Sequence, residues 1–240
     1  MAFKGGGIRG IAYTGAMQVL EDKGVTAKIE NVAGTSSGAI VGTLLSMGYN
    51  ATEMKDIMYN MKVQRFNDGG WFFIGGQHRL RKHFGWYKGV ALERWIGDLI
   101  QQKTGNADIT FRQLHELALK DKRYKNIYIT ATNLTRQKLE VFSWQTYPDM
   151  CIKTAVRASF SVPLYFEATL LDSNGHEVNK NSVVPCQAYV DGGIVANYPL
   201  NIFDNGTPNM ETLGLDLVRP EQIDYKRPGL APYPIHSPIS

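Results

Sequence analysis

The segment from Gly34 to Gly38 has the pattern G-x-S-x-G, with Ser36 at its centre. Apolar residues before it predict a strand, and the residues after it predict a helix. A sharp strand-to-helix turn has no space for side chains two residues before and after the serine, so glycine is favoured there. The turn would hold the serine hydroxyl at a helix N-terminus, where backbone N–H groups can bind an oxyanion. The pattern indicates a serine nucleophile; an ordinary glycine turn with a serine helix cap is the alternative.

A second glycine-rich segment, residues 5–10, reads G-G-G-I-R-G. Its spacing fits G-x-G-x-x-G, and Glu30 follows about twenty positions later, as a dinucleotide-binding turn requires. The alternative is an oxyanion hole formed by the backbone N–H groups of Gly6 and Gly7, with Arg9 near the anion. Three consecutive glycines and an arginine supply more exposed N–H groups and positive charge than a pyrophosphate turn uses. This favours the oxyanion hole.

The third glycine-rich segment is Asp191-Gly192-Gly193, which follows an apolar run that ends at Val190. An aspartate at the carboxyl end of a strand is held at the edge of an α/β sheet where ligands bind. A common Asp-Gly turn is the alternative interpretation.

The three patterns in this order resemble the patatin-like phospholipase family. Residues 158–166 are similar to the family's A-S-x-S-x-P-x-x-F segment, and residues 192–199 to the end of its D-G-G…N-x-P segment. The resemblance extends from about Phe3 to Val218, without a departure inside the motifs. It departs at the two ends, because family members usually have a longer first strand and often continue past the last one.

The resemblance implies a lipid acyl hydrolase that uses a Ser–Asp dyad, with Ser36 as nucleophile and Asp191 as general base. Water activated by Asp191 would release the acid from an acyl-enzyme. An aspartate with a reference pKa of about 4 is a weaker base than imidazole at about 6.5, so burial must raise its basicity. No metal or cofactor is expected. The predicted site comprises the catalytic residues Ser36 and Asp191, the oxyanion and substrate-binding residues Gly5, Gly6, Gly7, Arg9, Gly10 and Ser37, and the motif glycines Gly34, Gly38, Gly192 and Gly193.

Five histidines are candidates for a third catalytic residue. His236 follows Asp191, which matches the Ser…Asp…His order of α/β-hydrolases, but it lies in a proline-rich segment. The other four are His78, His83, His115 and His176. We expect none of them to be essential for the chemistry.

Two other functions stay open on the sequence. A nucleotide-binding oxidoreductase would use residues 5–10, and it would leave Ser36 and Asp191 without a role. A lipid-binding module without catalysis would have kept the same scaffold, although the intact serine and aspartate argue against it.

Alternating strand and helix patterns predict an α/β fold. The resemblance implies three layers, with a central, mostly parallel sheet flanked by helices. We predict one domain over residues 1–220 and a proline-rich tail over 221–240. The predicted strands are residues 2–4, 27–33, 126–132, 138–142, 165–171, 183–190 and 212–218. The predicted helices are residues 11–22, 39–47, a segment capped by Thr52, and residues 90–103, 110–119 and 149–159.

Composition narrows the class of protein. The chain has 240 residues, of which 43% are hydrophobic and 20% charged, as in soluble globular proteins. A net charge of +4 is too small to indicate nucleic acid binding, but it is compatible with an anionic lipid surface. Cys151 and Cys186 do not form a disulfide framework, and we expect both to be buried thiols in a reducing compartment. Without a long apolar run or a leader, the expected location is cytoplasmic, with peripheral membrane association.

Residues 65–89 predict a long loop or lid that mixes basic and aromatic side chains. Such a mixture is typical of a membrane-interface patch. A loop whose aromatic residues complete the core while its cations face water is the favoured alternative. The residues concerned are Arg79, Arg81, Lys82, His83 and Lys88, among Trp71, Phe72, Phe73, Phe84, Trp86 and Tyr87.

Overall fold

The computed structural model describes residues 1–68, 85–179 and 182–218. The strands are β1 (Ala2–Phe3), β2 (Asn31–Thr35), β3 (Gly85–Tyr87), β4 (Asn126–Asn133), β5 (Lys138–Phe142), β6 (Leu164–Phe166), β7 (Thr169–Leu171), β8 (Gln187–Asp191) and β9 (Gly214–Leu215). The α-helices are α1 (Tyr13–Asp22), α2 (Ser37–Ser46), α3 (Ala51–Asn60), α4 (Val90–Thr104), α5 (Phe111–Lys120) and α6 (Ile152–Ser159). Short 3-10 helices cover Gly7–Ala12, Thr26–Lys28, Val63–Phe66, Gly192–Ile194 and Leu200–Phe203.

Seven of the described strands form one sheet in the order β7-β8-β4-β2-β1-β9, with β5 also paired to β4. Strands β9, β1, β2 and β4 are parallel, and β7 runs in their direction because it is antiparallel to β8, which is antiparallel to β4. Only β5 and β8 of this sheet run the other way. The predicted α/β fold with a mostly parallel sheet flanked by helices is confirmed.

Two strands share one edge of β4. Strand β2 pairs with the first part of β4 and ends where Thr35 is opposite Thr130. Strand β8 pairs with the last part of β4 and ends where Asp191 is opposite Ala131. Because β5 pairs with Ile129–Asn133 along the other edge and so overlaps both stretches, β2 and β8 lie on the same edge and meet end to end. The residue after β2 and the last residue of β8 are therefore brought together.

Helix α2 packs against β1, β2 and β4, and all ten of its residues are buried. It was predicted as a buried helix because residues 39–47 are apolar on most sides, and this is confirmed. Burial of a whole helix fixes its N-terminus, and with it the turn at the end of β2, relative to the sheet.

Several predicted element boundaries were wrong for local reasons. Helix α3 is capped by Asn50 rather than Thr52, because Asn50 and Glu53 exchange two hydrogen bonds of 2.9 Å each in a capping box. Helix α6 begins at Ile152 rather than at residue 149. The carbonyl groups of Pro148 and Met150 instead accept hydrogen bonds from the first turn of α5, at 2.8 and 3.2 Å.

Four predicted strands differ as well. The strand predicted over residues 165–171 is divided into β6, which pairs with β3 in a separate two-stranded sheet, and β7, which pairs with β8. Residues 26–28 form a 3-10 helix, so β2 begins later than predicted and extends to Thr35. The last two predicted strands are shorter, at Gln187–Asp191 and Gly214–Leu215. The first predicted helix begins as a 3-10 turn over Gly7–Ala12.

The two cysteines differ in exposure. Cys151 is half-buried, and burial raises the pKa of its thiol, whereas Cys186 is exposed in the segment before β8. The prediction of two buried thiols was therefore wrong for Cys186. Most of the basic and aromatic residues of the predicted 65–89 loop, and all of the tail, lie outside the described residues. None of the described helices has both the length and the apolar character that crossing a membrane requires.

We expect Gly38→Ala to destabilise the fold, because a Cβ at Gly38 would overlap the carbonyl oxygen of Phe3 in β1. Such overpacking typically costs about 1–3 kcal/mol. Gly15→Ala in α1 is the control, since its Cβ would meet nothing within 4 Å and should stabilise the helix by about 0.5–1 kcal/mol. Urea denaturation measures both changes, and equal stability of Gly38→Ala and the unmutated chain would contradict the packing.

Candidate active site

Ser36 lies in the turn between β2 and α2, and its backbone has the positive φ of a sharp turn, with φ 54° and ψ −122°. Non-glycine residues avoid this region, so the conformation must be held by its surroundings. The turn also explains the two flanking glycines. A Cβ on Gly34 would overlap the carbonyl group of Gly38, and a Cβ on Gly38 would overlap Phe3.

The Ser36 hydroxyl donates a hydrogen bond of 2.6 Å to Oδ2 of Asp191, 155 residues away along the chain. Both residues are nearly buried, with Ser36 4% and Asp191 8% exposed. The second carboxylate oxygen, Oδ1, accepts a 2.7 Å hydrogen bond from the N–H of Gly193. The carboxylate is thus oriented by one donor on each oxygen, with Oδ2 on the serine.

The backbone of Asp191 is fixed on both sides. Its N–H donates to the carbonyl oxygen of Ser161 at 2.9 Å. Its carbonyl oxygen accepts from the hydroxyl of Thr132 on β4, also at 2.9 Å. Gly192 must be a glycine because a Cβ there would press on the backbone of Thr130.

Burial raises the pKa of Asp191 above its ordinary value of 3.8, although the hydrogen bonds from Ser36 and Gly193 act in the opposite direction. A raised pKa makes the carboxylate a stronger base. The pair can therefore transfer the serine proton to the aspartate more readily than an exposed aspartate would allow.

Two serines that sequence reasoning left without a role hold this pair in place. The hydroxyl of Ser159, at the end of α6, accepts the N–H of Ser36 at 2.8 Å. The carbonyl oxygen of Ser161 accepts the N–H of Asp191. One short segment thus contacts both members of the pair. The sequence signal that could have indicated a role for Ser159 and Ser161 was the A-S-x-S spacing just before Pro163.

The glycine loop at residues 5–10 is tied to both of the other segments. The N–H of Gly6 donates to Oγ of Ser37 at 3.0 Å. Gly5 donates from its N–H to the carbonyl oxygen of Asn197 at 2.9 Å and accepts from Asn197 Nδ2 at 3.0 Å. Asn197 was quoted as part of the family motif, but its role as a clamp on Gly5 was not predicted. Its amide side chain also lies against Gly193.

The N–H of Gly6 is thus engaged by the Ser37 hydroxyl. The N–H groups of Gly7 and Ser37 make no hydrogen bond within the described residues. Gly7 is exposed with φ +57°, a conformation suited to glycine, and Ser37 is the first residue of α2. Of the three predicted donors, Gly7 and Ser37 thus have N–H groups without an acceptor among the described residues, although Ser37 is fully buried.

Arg9 and Gly10 have different positions. Arg9 is exposed, and its Nε contacts the carbonyl oxygen of Gly6 at 3.4 Å rather than the serine–aspartate pair. Gly10 is buried, and a Cβ there would lie 3.0 Å from Cβ of Ser37. The close approach of the 3-10 helix to α2 therefore explains the glycine at residue 10.

The two described histidines lie in other contacts. His115 stacks on Trp144 with ring centroids 3.9 Å apart, and its Nδ1 is 2.8 Å from Oδ1 of Asn126. His176 is exposed, with Nδ1 3.4 Å from Oδ2 of Asp172. The remaining three, His78, His83 and His236, lie outside the described residues.

Glu30 is badly placed for a dinucleotide. It precedes β2, whereas the glycine loop follows the carboxyl end of the parallel neighbour β1. The acidic residue and the loop therefore lie at opposite ends of the sheet. Glu30 is exposed and forms an ion pair with Lys122 at 3.4 Å.

We expect Asp191→Asn to stabilise the fold at neutral pH. The folded-state pKa of Asp191 is above its unfolded value, so its contribution to stability is present below pH 3.8 and is lost as the pH rises through the folded pKa. The asparagine variant avoids this loss. Urea denaturation over a series of pH values should show an advantage at about pH 7 that shrinks towards about pH 4.

Asp172→Asn is the matched control. Although burial raises the pKa of Asp172, backbone hydrogen bonds from His176 and Asn174 lower it overall. This control should lose stability at neutral pH. A lower stability of Asp191→Asn than of the unmutated chain at neutral pH would contradict the raised folded-state pKa of Asp191.

Several known proteins are similar to this chain. Protein R571 of Acanthamoeba polyphaga mimivirus is 29% identical over 225 residues, which cover 93% of this chain and 67% of that protein. The probable lipid hydrolase 463L of Invertebrate iridescent virus 6 is 26% identical, over 84% of this chain and 62% of that protein. This chain thus spans about two thirds of the length of these relatives.

The first solved structure is VipD from Legionella pneumophila, with a TM-score of 0.58 and 20% identity, covering 89% of this chain and 47% of that chain. The second is ExoU of Pseudomonas aeruginosa in complex with SpcU, with a TM-score of 0.52 and 25% identity, covering 67% and 38%. The VipD likeness concerns the fold alone.

The patatin-like phospholipase family model matches residues 1–204, which include the glycine loop, the Ser36 turn and Asp191. The chain belongs to the patatin-like phospholipase family.

Proposed function

We propose that this chain hydrolyses fatty-acyl esters of phospholipids or related lipids with Ser36 as nucleophile and Asp191 as general base, working peripherally at a lipid surface. The observation that carries the proposal is the 2.6 Å hydrogen bond from Ser36 Oγ to the buried Asp191 carboxylate. Membership of the patatin-like phospholipase family supports the lipid substrate class. The name of the viral relative, probable lipid hydrolase, is consistent with it.

The first step is acylation. Oδ2 of Asp191 takes the hydroxyl proton of Ser36 as Oγ forms a bond to the ester carbonyl carbon. The carbonyl oxygen becomes an oxyanion, which the N–H groups of Gly7 and Ser37 receive. The Gly6 N–H joins them only when the Ser37 hydroxyl turns away from it. Collapse of this intermediate breaks the ester bond, and Asp191 returns the proton to the departing alcohol.

The second step is deacylation. Asp191 removes a proton from water, whose oxygen attacks the carbonyl carbon of the acyl-serine. The bond to Ser36 Oγ then breaks, Oγ regains the proton, and the fatty acid leaves. The same two residues and the same oxyanion donors thus serve both steps. Asp191 is deprotonated again after each step, and the Ser36 hydroxyl is restored after the second.

An aspartate can serve as the base because the site compensates for its weakness. Burial raises its pKa, and the short hydrogen bond already points the proton at Oδ2. Each oxyanion donor is worth about 10²–10³ in rate, so two donors supply a large share of the barrier reduction. The positive φ at Ser36 supports this assignment, since strained backbone is concentrated at functional sites.

The first test is hydrolysis of a soluble short-chain ester and of a phospholipid by single variants. We expect Ser36→Ala to have no measurable activity and Asp191→Asn to lose about 10²–10⁴ in kcat, because the general base is gone. Ser173→Ala, an exposed serine in a turn, and His176→Ala and His236→Ala should retain the activity of the unmutated chain. Full activity of Asp191→Asn, or loss of activity in His236→Ala, would contradict the dyad.

The second test separates positioning from stability. Ser159 and Ser161 are equally buried, and each variant to alanine removes one hydrogen-bonded hydroxyl. Only Ser159 uses that hydroxyl on Ser36, whereas Ser161 contacts Asp191 through its backbone. We expect Ser159→Ala to lower kcat about tenfold or more, since small misplacements of a nucleophile are costly, with KM little changed. Ser161→Ala should cost similar stability and much less activity; equal losses of kcat would contradict the assignment.

A further inference from the structure

Large apolar side chains are exposed in three segments that contact the site, residues 5–10, 160–166 and 192–200. We call six of them the apolar rim: Ile8, Val162, Leu164, Tyr165, Ile194 and Val195, which are 36% to 74% exposed. Soluble proteins rarely keep exposed apolar groups together unless the surface binds something.

The rim residues lie on chain segments that make hydrogen bonds within the site. Each is within four residues of Gly6, Ser161 or Asp191, so its Cα is within about 15 Å of one of these three along the chain. The segments are also fixed to one another. Gly5 pairs with Asn197, and Asp191 donates its N–H to Ser161. The rim residues therefore belong to segments that are fixed to one another beside the nearly buried pair.

The three segments that carry the rim have positive charge and no negative charge. Residues 5–10, 160–166 and 192–200 contain no aspartate or glutamate apart from Asp191 just before the third segment, and their single charged residue is Arg9. Arg9 is exposed next to Ile8. Segments that expose apolar side chains and one cation, with no carboxylate of their own, match the chemistry of a phospholipid interface, which is apolar below and anionic at the headgroups.

Leu164 gives an independent indication. It has φ +70°, a conformation that glycine and asparagine adopt more easily, and it is 65% exposed. Its strand β6 is held by pairing with β3, and the next residue, Tyr165, donates its hydroxyl to Oδ1 of Asn67 at 2.7 Å. The fold thus holds an apolar side chain in water in a disfavoured backbone conformation. An apolar phase at this position would recover the lost burial.

We propose that the apolar rim docks on a phospholipid bilayer, so that the opening above Ser36 faces the acyl esters. The inference rests on the proposed function, because a lipid ester must enter from the side on which the rim lies. It assigns membrane contact to described residues around the site, and it does not depend on the basic and aromatic residues predicted as an interface within residues 65–89.

The test uses the Ser36→Ala chain, which cannot alter the vesicles by hydrolysis. Its partition onto phosphatidylcholine–phosphatidylserine vesicles is measured by flotation, alone and with Leu164→Asn plus Ile194→Ser. We expect the rim changes to weaken partition about tenfold or more, because two apolar side chains no longer leave water.

The matched control is Leu119→Ser plus Met210→Ser in the same chain. Both residues are at least as exposed, at 72% and 92%. Leu119 lines a cavity together with Glu30, and Met210 lies between Asn209 and Glu211, which line a second cavity with Glu30 at the far end of β2 from Ser36. Partition of the control should change less than about twofold. Leu164→Asn alone should keep or raise the denaturation midpoint while it weakens partition, since asparagine tolerates a positive φ.

Equal partition of the rim variant and its parent, or an equal loss in the control, would overturn the proposal. So would a rim-dependent dimer in solution, which would make a second copy the occupant of the rim. Failure of the proposed function is seen separately. If the unmutated chain hydrolyses a soluble ester but Ser36→Ala does not bind vesicles, docking through the apolar rim is contradicted and the proposed hydrolase function is supported. If Ser36→Ala binds vesicles through the rim but the unmutated chain hydrolyses no ester, docking is supported and the proposed hydrolase function is contradicted.

Discussion

The structure depends on the way in which two strands share one edge of β4. Strand β2 ends opposite Thr130 and β8 ends opposite Ala131, from opposite directions. A parallel and an antiparallel strand can meet in this way only if the polypeptide leaves the sheet at the same point after each of them. This register places Ser36 beside Asp191 although 155 residues separate them. Shifting either strand by one residue would turn one of the side chains to the other face of the sheet.

The remaining features of the site hold two unfavourable states in place. Ser36 has a positive φ, and Asp191 is a carboxylate buried with hydrogen bonds but without a described cationic partner. Each is stabilised by neighbours on other segments, since Ser159 holds the N–H of Ser36 and Gly193 holds Oδ1 of Asp191. A strained serine and a desolvated carboxylate both lower the stability of the fold, and the proposed function gives this cost a reason. The buried helix α2 and the tightly packed glycines supply the rigidity that makes this arrangement possible.

Sequence patterns located the chemistry better than they located the supports. Glycine at residues 34, 38 and 192 is required by close backbone approach, and close approach leaves a visible mark because no other residue fits. The roles of Ser159 and Asn197 left no such mark. Each is an ordinary polar residue whose importance depends on a contact with a distant segment, and hydrogen bonds of that kind follow from the tertiary fold.

The errors in the elements have a similar cause. Local periodicity predicted one strand over residues 165–171, but β6 and β7 belong to two different sheets. Asn50 rather than Thr52 caps α3, because Asn50 and Glu53 form a reciprocal pair of hydrogen bonds. The predicted Gly6 donor is occupied by the Ser37 hydroxyl, which a motif cannot reveal because the two residues lie on separate segments. Motifs thus identified which residues meet, and tertiary contacts decide how each of them is oriented.

The most direct measurement of the central claim is the rate and position of covalent labelling by a fluorophosphonate, which reacts with an activated serine. Peptide mass spectrometry should find the label on Ser36. The labelling rate of Asp191→Asn should be lower than that of the unmutated chain by a factor of about 100 or more. A label on another residue, or an undiminished rate in Asp191→Asn, would contradict the account of a serine activated by this aspartate.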